Sequence, residues 1–314
     1  MTAARSSGEP GIVVASAPVS YGAFELTVGI DPNVPDGIHV LDEVAAAGYA
    51  GIDLGPVGYL GSGEELAERL ASRQLGLAGA YLELPYADHD ALRVAIPALD
   101  EMLDVFDAVA SRRVGPAPRP TLADSGSENR RAHPGRAALD RSFGLTADAW
   151  RRFGAGLGEA LARCRDRGYE PAFHHETGTY VEAPWEIERV LEVSDVGLCL
   201  DTGHLLLGGG DPAAAVSAWS SRINHVHLKD AHRSVMARIV ADNAPVTAIW
   251  SREAFPPLGQ GDLDVDRVLA GLDRVGYRGW LVVEQDTLPR TKARFDQAAA
   301  DQRANRAFLA ERGL

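Results

Sequence analysis

Polar side chains that could hold a metal ion or move a proton follow four short apolar runs in this chain. Each run is typical of a buried parallel strand, because a strand with helices on both faces is apolar throughout. The carboxyl ends of parallel strands meet at one edge of the sheet, where α/β proteins carry out their chemistry. The residues at these four ends are Glu176, Asp201, His227 and Glu284. Together they predict a divalent metal site.

The donor types in this group indicate which metals would fit. Carboxylate oxygens suit hard cations, whereas one imidazole shifts the preference toward transition metals. Manganese is therefore favoured, with cobalt, magnesium or zinc as alternatives. Any one of these acids could instead cap a helix, and the register of one ligand stays open because further histidines lie nearby. Those histidines are His174, His175, His204 and His225, of which His225 shares a strand face with His227.

The elements that must position these residues alternate between strand and helix along the chain. Strands are predicted over residues 12–15, 51–55, 77–82, 119–123, 171–173, 196–200, 223–227 and 280–283. Helices are predicted over residues 38–47, 64–75, 91–109, 146–167, 184–193, 212–219, 265–275 and 291–312. Thr146 is a candidate N-cap, and Gly48 and Gly168 are candidate helix stops. Eight such units without a linker predict an α/β protein with a single (β/α)8 TIM barrel. An open doubly wound sheet is the alternative, but the first turn lacks a Gly-x-Gly-x-x-Gly motif.

Two segments interrupt this rhythm and are predicted to be insertions at the mouth of the barrel. They cover about residues 124–142 and 231–261 of a barrel domain that spans residues 11–314. The first segment is polar and Arg-rich, so it is either a functional loop over the mouth or a disordered surface insertion. Residues 1–10 are small and polar and are predicted to form a disordered tail.

Composition excludes several classes of function. A net charge of −13 and a pI near 5.1 argue against a protein that binds the phosphate backbone of nucleic acids. No apolar run approaches the roughly 20 residues that a membrane span needs, and residues 1–10 lack the apolar core of a signal peptide. Cys164 and Cys199 fit buried thiols in a reducing compartment. We therefore expect a cytoplasmic enzyme with neither nucleic acid nor membrane as a partner.

Several motifs resemble one family of sugar-converting enzymes. The run Leu200-Asp201-Thr202-Gly203-His204, followed by His225-Val226-His227-Leu228-Lys229-Asp230, is similar to the sugar phosphate isomerase/epimerase superfamily of xylose isomerase-like TIM barrels. Within this superfamily the chain most resembles the inosose dehydratases. Further support comes from Ala17-Pro18-Val19-Ser20-Tyr21, from Gly178-Thr179-Tyr180-Val181-Glu182 and from Gly279-Trp280-Leu281-Val282-Val283-Glu284-Gln285-Asp286.

The resemblance implies a metal-dependent lyase that removes water from a polyhydroxylated cyclic ketone of the inosose type through an enediolate. The resemblance also implies that the metal ligands are Glu176, Asp201, His227 and Glu284. Because some dehydratases have a histidine in place of Glu176, an epimerase or isomerase with the same metal site is the alternative. A non-catalytic sugar-binding barrel and a C-glycoside deglycosidase subunit are less favoured. The family also contains base-excision endonucleases, which the acidic charge disfavours.

The proposed chemistry assigns roles to residues around the mouth. Glu176 or Glu284 would remove the proton beside the ketone, and His204, His175 or Lys229 would protonate the departing hydroxyl. Lys229 could instead be an exposed loop cation. The predicted substrate contacts are Tyr21, Glu83, His175, His204, Lys229 and Arg233. The predicted binding partner is a small polyhydroxylated ketone or sugar. The chain could also form a homo-oligomer or a complex with a partner subunit.

Overall fold

Nine parallel strands form the centre of the molecule in a computed structural model that describes residues 11–314. The strands are β1 Ile12–Ser16, β2 Gly51–Ile52, β3 Gly76–Leu77, β4 Gly79–Leu84, β5 Arg119–Asp124, β6 Ala172–His174, β7 Gly197–Asp201, β8 Ile223–Leu228 and β9 Gly279–Val283. Their order in the sheet is β3-β2-β1-β9-β8-β7-β6-β5-β4. The tail predicted over residues 1–10 lies outside the described residues.

Ala78 closes this sheet into a barrel. It joins β3 to β4, and its N–H donates to the Ile52 carbonyl of β2 at 2.9 Å. On the other side, the Ala78 carbonyl accepts from the Arg119 N–H of β5 at 3.0 Å. Residues 76–84 therefore take one place in the barrel and pair with a neighbour on each side. The predicted single TIM barrel is confirmed.

Helices follow the strands and cover the outside of the barrel. They are α1 Gly37–Ala46, α2 Gly63–Ser72, α3 His89–Ala95, α4 Pro97–Ala110, α5 Glu128–Ala132, α6 Ala147–Asp166, α7 Pro184–Val193, α8 Thr202–Leu207, α9 Pro212–Ala218, α10 Arg233–Ala241, α11 Ala248–Ser251, α12 Val265–Arg274 and α13 Lys292–Ala310. The single helix predicted over residues 91–109 is wrong, because the chain forms α3 and α4 instead. Pro97 starts the second helix and lacks the N–H that an unbroken helix needs there.

The predicted N-cap and the two predicted helix stops are present in the structure. The Thr146 hydroxyl accepts from the Ala149 N–H at 3.2 Å and caps α6. Gly48 and Gly168 follow the ends of α1 and α6 with φ angles of 86° and 83°. Such left-handed angles cost glycine little because it has no Cβ.

The two segments at the mouth contact each other. Residues 124–142 contain α5 and the short 3₁₀ turn Arg136–Ala138, and a second 3₁₀ turn, Arg141–Phe143, begins at their end. The Arg131 carbonyl accepts from the Val246 N–H at 2.7 Å, and the Arg136 guanidinium donates to the Val240 carbonyl at 2.9 Å. We call residues 124–142 and 231–261 together the roof.

The core is apolar and extends from the barrel strands to the surrounding helices. Cys164 and Cys199 are buried free thiols within it, as predicted. Among residues 11–314, no helix combines the length and the apolar character that a membrane crossing requires.

Candidate active site

Three of the four predicted metal ligands converge at the carboxyl ends of neighbouring strands. Asp201 ends β7 and lies beside His227 of β8, and Glu284 follows β9. The His227 Nδ1 is 3.2 Å from the Glu284 Oε2 and 3.8 Å from the Asp201 Oδ2. Ligand atoms about 2 Å from one ion are themselves roughly 3–4 Å apart. The spacing therefore suits a single divalent cation.

The hydrogen bonding of Asp201 supports this fit. Its Oδ1 accepts from the His204 N–H at 2.9 Å and caps α8. Its Oδ2 is buried and accepts no hydrogen bond from any residue between 11 and 314, and neither ring nitrogen of His227 has a hydrogen-bond partner there. Buried polar atoms are normally satisfied, so these atoms suit an ion that the protein holds. Asp201 is thus a helix cap through one oxygen and a candidate ligand through the other.

Glu176 lies outside this group of three. Its Oε1 is 3.1 Å from the Nε2 of His204, and its Oε2 is 3.5 Å from the Nδ1 of His174. Burial raises the pKa of Glu176 well above its usual value. The Nδ1 of His204 lies 2.9 Å from the Thr177 hydroxyl, which holds the ring against the carboxyl group. The geometry therefore places Glu176 among imidazoles rather than among the three candidate ligands.

Lys229 carries a buried ammonium among acids. Its Nζ lies 2.8 Å from the Asp286 Oδ1, 2.9 Å from the Glu284 Oε2 and 3.3 Å from the Asp201 Oδ2. Burial alone would lower its pKa, but these carboxylates outweigh burial and raise the pKa well above its usual value. The Nζ is also 3.2 Å from the His204 Nε2. Lys229 is therefore a charged side chain inside the site and not an exposed loop cation.

A cavity of about 660 Å³ opens above these residues. The predicted site residues that line it are Glu83, Glu176, His204, His227, Lys229 and Glu284. Its remaining walls come from the loop after β1, from β4 and from the roof. The structure thus places two of the three candidate metal ligands, His227 and Glu284, and the candidate proton carriers around one cavity.

Three predicted substrate contacts point elsewhere: Tyr21, His175 and Arg233. Tyr21 is buried against the Phe295 ring, with a centroid distance of 5.9 Å. The His175 Nε2 accepts from the Asp201 N–H at 3.3 Å, so this ring holds the backbone of β7 at the candidate ligand. The Arg233 guanidinium donates to the Gly210 carbonyl at 2.7 Å. Their side chains are engaged in packing or in hydrogen bonds within the protein.

Three acidic or imidazole groups of the site were not among the predicted site residues: Asp53, His174 and Asp286. The Asp53 Oδ2 is 3.6 Å from the His227 Nε2, and the His174 Nε2 is 3.4 Å from the Asp201 Oδ2. Alternation along strands could have found two of them, because side chains two positions apart share a face. His174 precedes Glu176 by two residues and Asp286 follows Glu284 by two. His225 lies next to His227 inside the barrel, with ring centroids 5.2 Å apart.

Comparison with known proteins agrees with this architecture. The family model of the xylose isomerase-like TIM barrel matches residues 41–311. Among solved structures, the fold resembles an L-ribulose 3-epimerase with a TM-score of 0.65 and 16% identity, over 95% of this chain and 93% of the other. It also resembles the IOLI protein with a binding zinc atom, with a TM-score of 0.67 and 15% identity over 93% and 96% of the two chains. These structural similarities concern the fold alone.

Curated relatives are more similar in sequence. An inosose dehydratase from Lacticaseibacillus casei is 28% identical over 271 residues, which cover 82% of this chain and 85% of that protein. The rhizopine catabolism protein MocC of Rhizobium meliloti is 32% identical over 252 residues, which cover 79% of this chain and 74% of that protein. A second inosose dehydratase, from Geobacillus kaustophilus, is 28% identical and is matched over 80% of both chains.

Proposed function

Since the chain belongs to the family of xylose isomerase-like TIM barrels, we propose that it is a metal-dependent lyase that removes water from a polyhydroxylated cyclic ketone of the inosose type. Relatives named inosose dehydratase, matched over most of both chains, support this class of enzyme. The observation that carries the proposal is that Glu176 and Lys229 both line one cavity. Elimination needs a base for a C–H proton and an acid for the departing hydroxyl, and these two side chains can supply them.

Asp201, His227 and Glu284 would hold the divalent cation, with manganese as the favoured metal. When bound, such a cation polarises the ketone as a Lewis acid and so acidifies the neighbouring C–H bond. Burial alone would raise the pKa of Glu284, but His227 and Lys229 outweigh burial and lower the pKa. Glu284 is therefore better suited to holding charge than to accepting a proton.

Glu176 is the proposed general base. Its side chain is 17% exposed, at the cavity wall, whereas the Asp201 side chain is fully buried. Burial raises the pKa of Glu176, which makes its carboxylate a stronger proton acceptor. His204 holds the carboxyl group at 3.1 Å and fixes its direction. Glu176 would take the proton next to the ketone, which leaves an enediolate.

Lys229 is the proposed proton donor for the second step. Lys229 lines the cavity, and three carboxylates keep its ammonium protonated, so it holds a proton to give, although the same carboxylates make it a weaker acid. The departing β-hydroxyl takes one proton from the Lys229 Nζ and leaves as water. Glu176 has by then gained one proton and Lys229 has lost one, so exchange with solvent restores both groups.

Epimerisation is the second candidate reaction. Glu176 and Glu284 both line the cavity, and an epimerase needs two proton-transfer groups that can reach opposite faces of one carbon. The low pKa of Glu284 disfavours this role. The two reactions share the first proton transfer and differ only in the second step.

Incubation of manganese-loaded protein with scyllo-inosose in deuterated water separates the two reactions. We expect a dehydrated dione, detected by ultraviolet absorbance and mass spectrometry. Recovery of deuterated starting ketone together with its epimer, without dione, would instead identify an epimerase. Chelated protein is the control and should neither exchange nor eliminate.

A further inference from the structure

The cavity is larger than the reacting part of the proposed substrate requires. Its volume of about 660 Å³ corresponds to roughly 20 water molecules at liquid density. A bare six-carbon ring polyol would leave much of this space filled with solvent. Unfilled volume next to apolar side chains contributes nothing to binding. The volume of the cavity therefore indicates a ligand larger than a bare six-carbon ring polyol.

The extra space is bounded by an apolar wall. We define the apolar wall as Phe24, Leu26, Leu82, Val246 and Trp250, all of which line the cavity. The rings of Phe24 and Trp250 pack together, with centroids 5.7 Å apart. These residues come from the loop after β1, from β4 and from the roof, whereas the proton carriers and candidate ligands come from the ends of β6 to β9. The cavity therefore has one polar end and one apolar side.

The charged side chains that line the cavity disfavour an anionic substituent. Six carboxyl groups line it, those of Glu25, Asp53, Glu83, Glu176, Glu284 and Asp286, against the two basic side chains of Arg131 and Lys229. Lys229 is already paired with acids, and the Arg131 guanidinium lies 3.6 Å from the Glu83 carboxylate. A phosphate or carboxylate on the substrate would face these acids without a free basic partner in the cavity lining. An uncharged substituent meets no such repulsion.

We propose that the natural substrate is an uncharged keto-polyol that carries an apolar substituent, and that this substituent packs on the apolar wall. The inference rests on the proposed function only for the ketone end, which reaches Glu176 and Lys229. Phe24 and Trp250 are then specificity-determining residues. Burial of one phenyl-sized group against such a wall strengthens binding by about tenfold or more.

Binding of unreactive probes tests the wall without turnover. Calorimetry would compare scyllo-inositol with its mono-O-benzyl ether on the manganese-loaded protein, and we expect the ether to bind at least about tenfold more tightly. In Trp250→Ala and Phe24→Ala this ratio should fall close to one, while the affinity for scyllo-inositol changes less than about twofold. Leu26→Asn provides a variant that keeps the fold, because the Leu26 side chain is 57% exposed, and it should lower the ratio in part. The matched control is Val94→Ala, which removes a 79% exposed side chain of α3 outside the cavity lining and should keep the full ratio.

The outcomes separate this inference from the proposed function. Equal affinity for the two probes, or a benzyl preference that Trp250→Ala leaves intact, would overturn the apolar wall as a substrate site. Tighter binding of an inositol phosphate than of scyllo-inositol would overturn the inference that anionic substituents are disfavoured. A benzyl preference that depends on Trp250 in a protein that yields no dione would support the wall and overturn only the dehydration.

Discussion

At the scale of single residues, the site depends on side chains that perform two tasks at once. Asp201 caps α8 through one oxygen and places the other, which accepts no hydrogen bond from residues 11–314, 3.3 Å from the Lys229 ammonium. The His204 N–H satisfies that cap, and the His204 ring holds Glu176. Substitutions that remove one task and retain the other can therefore separate metal binding and catalysis from folding.

Asp201→Asn should lose the metal while the barrel stays folded. The amide oxygen can still cap α8, but it lacks the charge that holds a divalent ion. We expect manganese affinity to fall by at least about 100-fold, measured by calorimetry and elemental analysis, with an unchanged circular dichroism spectrum. The matched control is Asp211→Asn, an exposed cap of α9 that accepts from the Ala213 N–H at 3.0 Å. Metal binding equal to that of the parent would show that Asp201 is not a ligand.

Glu176→Gln should abolish proton transfer and keep the metal. A general base contributes about 10²–10⁴-fold to the rate, so kcat should fall by that factor while manganese content stays constant. Glu83→Gln is the comparison, because Glu83 lines the same cavity but lies near Arg131 at its rim. A similar loss of kcat in both variants would contradict the assignment of the base.

At the scale of elements, a buried ionic cluster attaches the roof to the barrel. The Arg130 guanidinium of α5 donates to the Glu186 Oε1 at 2.7 Å and to the Glu182 Oε2 at 3.1 Å, and all three side chains are fully buried. The Glu182 Oε1 also accepts from the Gly135 N–H. This cluster connects residues 124–142 to the start of α7.

Arg130→Met should destabilise the protein strongly. Removal of the guanidinium leaves two carboxylates buried without their cation, which costs about 3–5 kcal/mol of unfolding free energy. Urea unfolding measures the loss. Arg131→Met is the matched control. The Arg131 side chain follows Arg130 in the sequence but is 48% exposed, so its replacement should change the free energy of unfolding by no more than about 0.5 kcal/mol. Equal losses in the two variants would mean that the buried cluster does not anchor the roof.

At the scale of the whole molecule, burial of uncharged imidazoles contributes to the response to acid. Four buried histidines, His174, His175, His204 and His225, have pKa values that burial lowers below the usual value near 6.5. For His175 the pKa falls to about 3. An unfolded chain binds protons at these positions before the folded chain does, so these four groups favour unfolding in acid.

The contribution of His175 to stability should therefore fall as the pH drops from about 6.5 toward 3. In this range His175 is protonated in the unfolded chain and neutral in the folded protein, which contributes a slope of about 1 kcal/mol per pH unit. His175→Asn should flatten the slope by about that amount, measured by urea unfolding of metal-free protein at several pH values. His89→Asn, at an exposed position on α3, should retain the slope of the parent. An unchanged slope in His175→Asn would contradict a neutral buried His175.

Much of the barrel was predictable from the sequence because its signals are local. Apolar runs, the Thr146 cap and the glycines after α1 and α6 each depend on a few neighbouring residues. The break at Pro97 was equally local, but the continuous apolar periodicity on both sides concealed it. The convergence of Asp201, His227 and Glu284 could be deduced from the rule that parallel strands end at one edge.

The features that the sequence did not reveal depend on contacts between distant segments. Tyr21 and Arg233 lie close in sequence to the cavity, yet their side chains turn toward Phe295 and the Gly210 carbonyl. Trp250 comes from an insertion whose fold has no repeating pattern, so nothing local indicated that it meets Phe24. Such partners are set by tertiary packing and not by periodicity.

The pairing of the two roof segments has a consequence for protein engineering. Because the Val246 N–H bonds the Arg131 carbonyl and Arg136 bonds the Val240 carbonyl, neither segment has a complete set of backbone partners alone. A chimaera that receives only one of these segments from a homologue would have mismatched hydrogen bonds between the two roof segments that line the cavity. Grafts that transfer residues 124–142 and 231–261 as one cassette preserve these bonds. Exchange of substrate preference between homologous barrels should therefore proceed by paired transplantation.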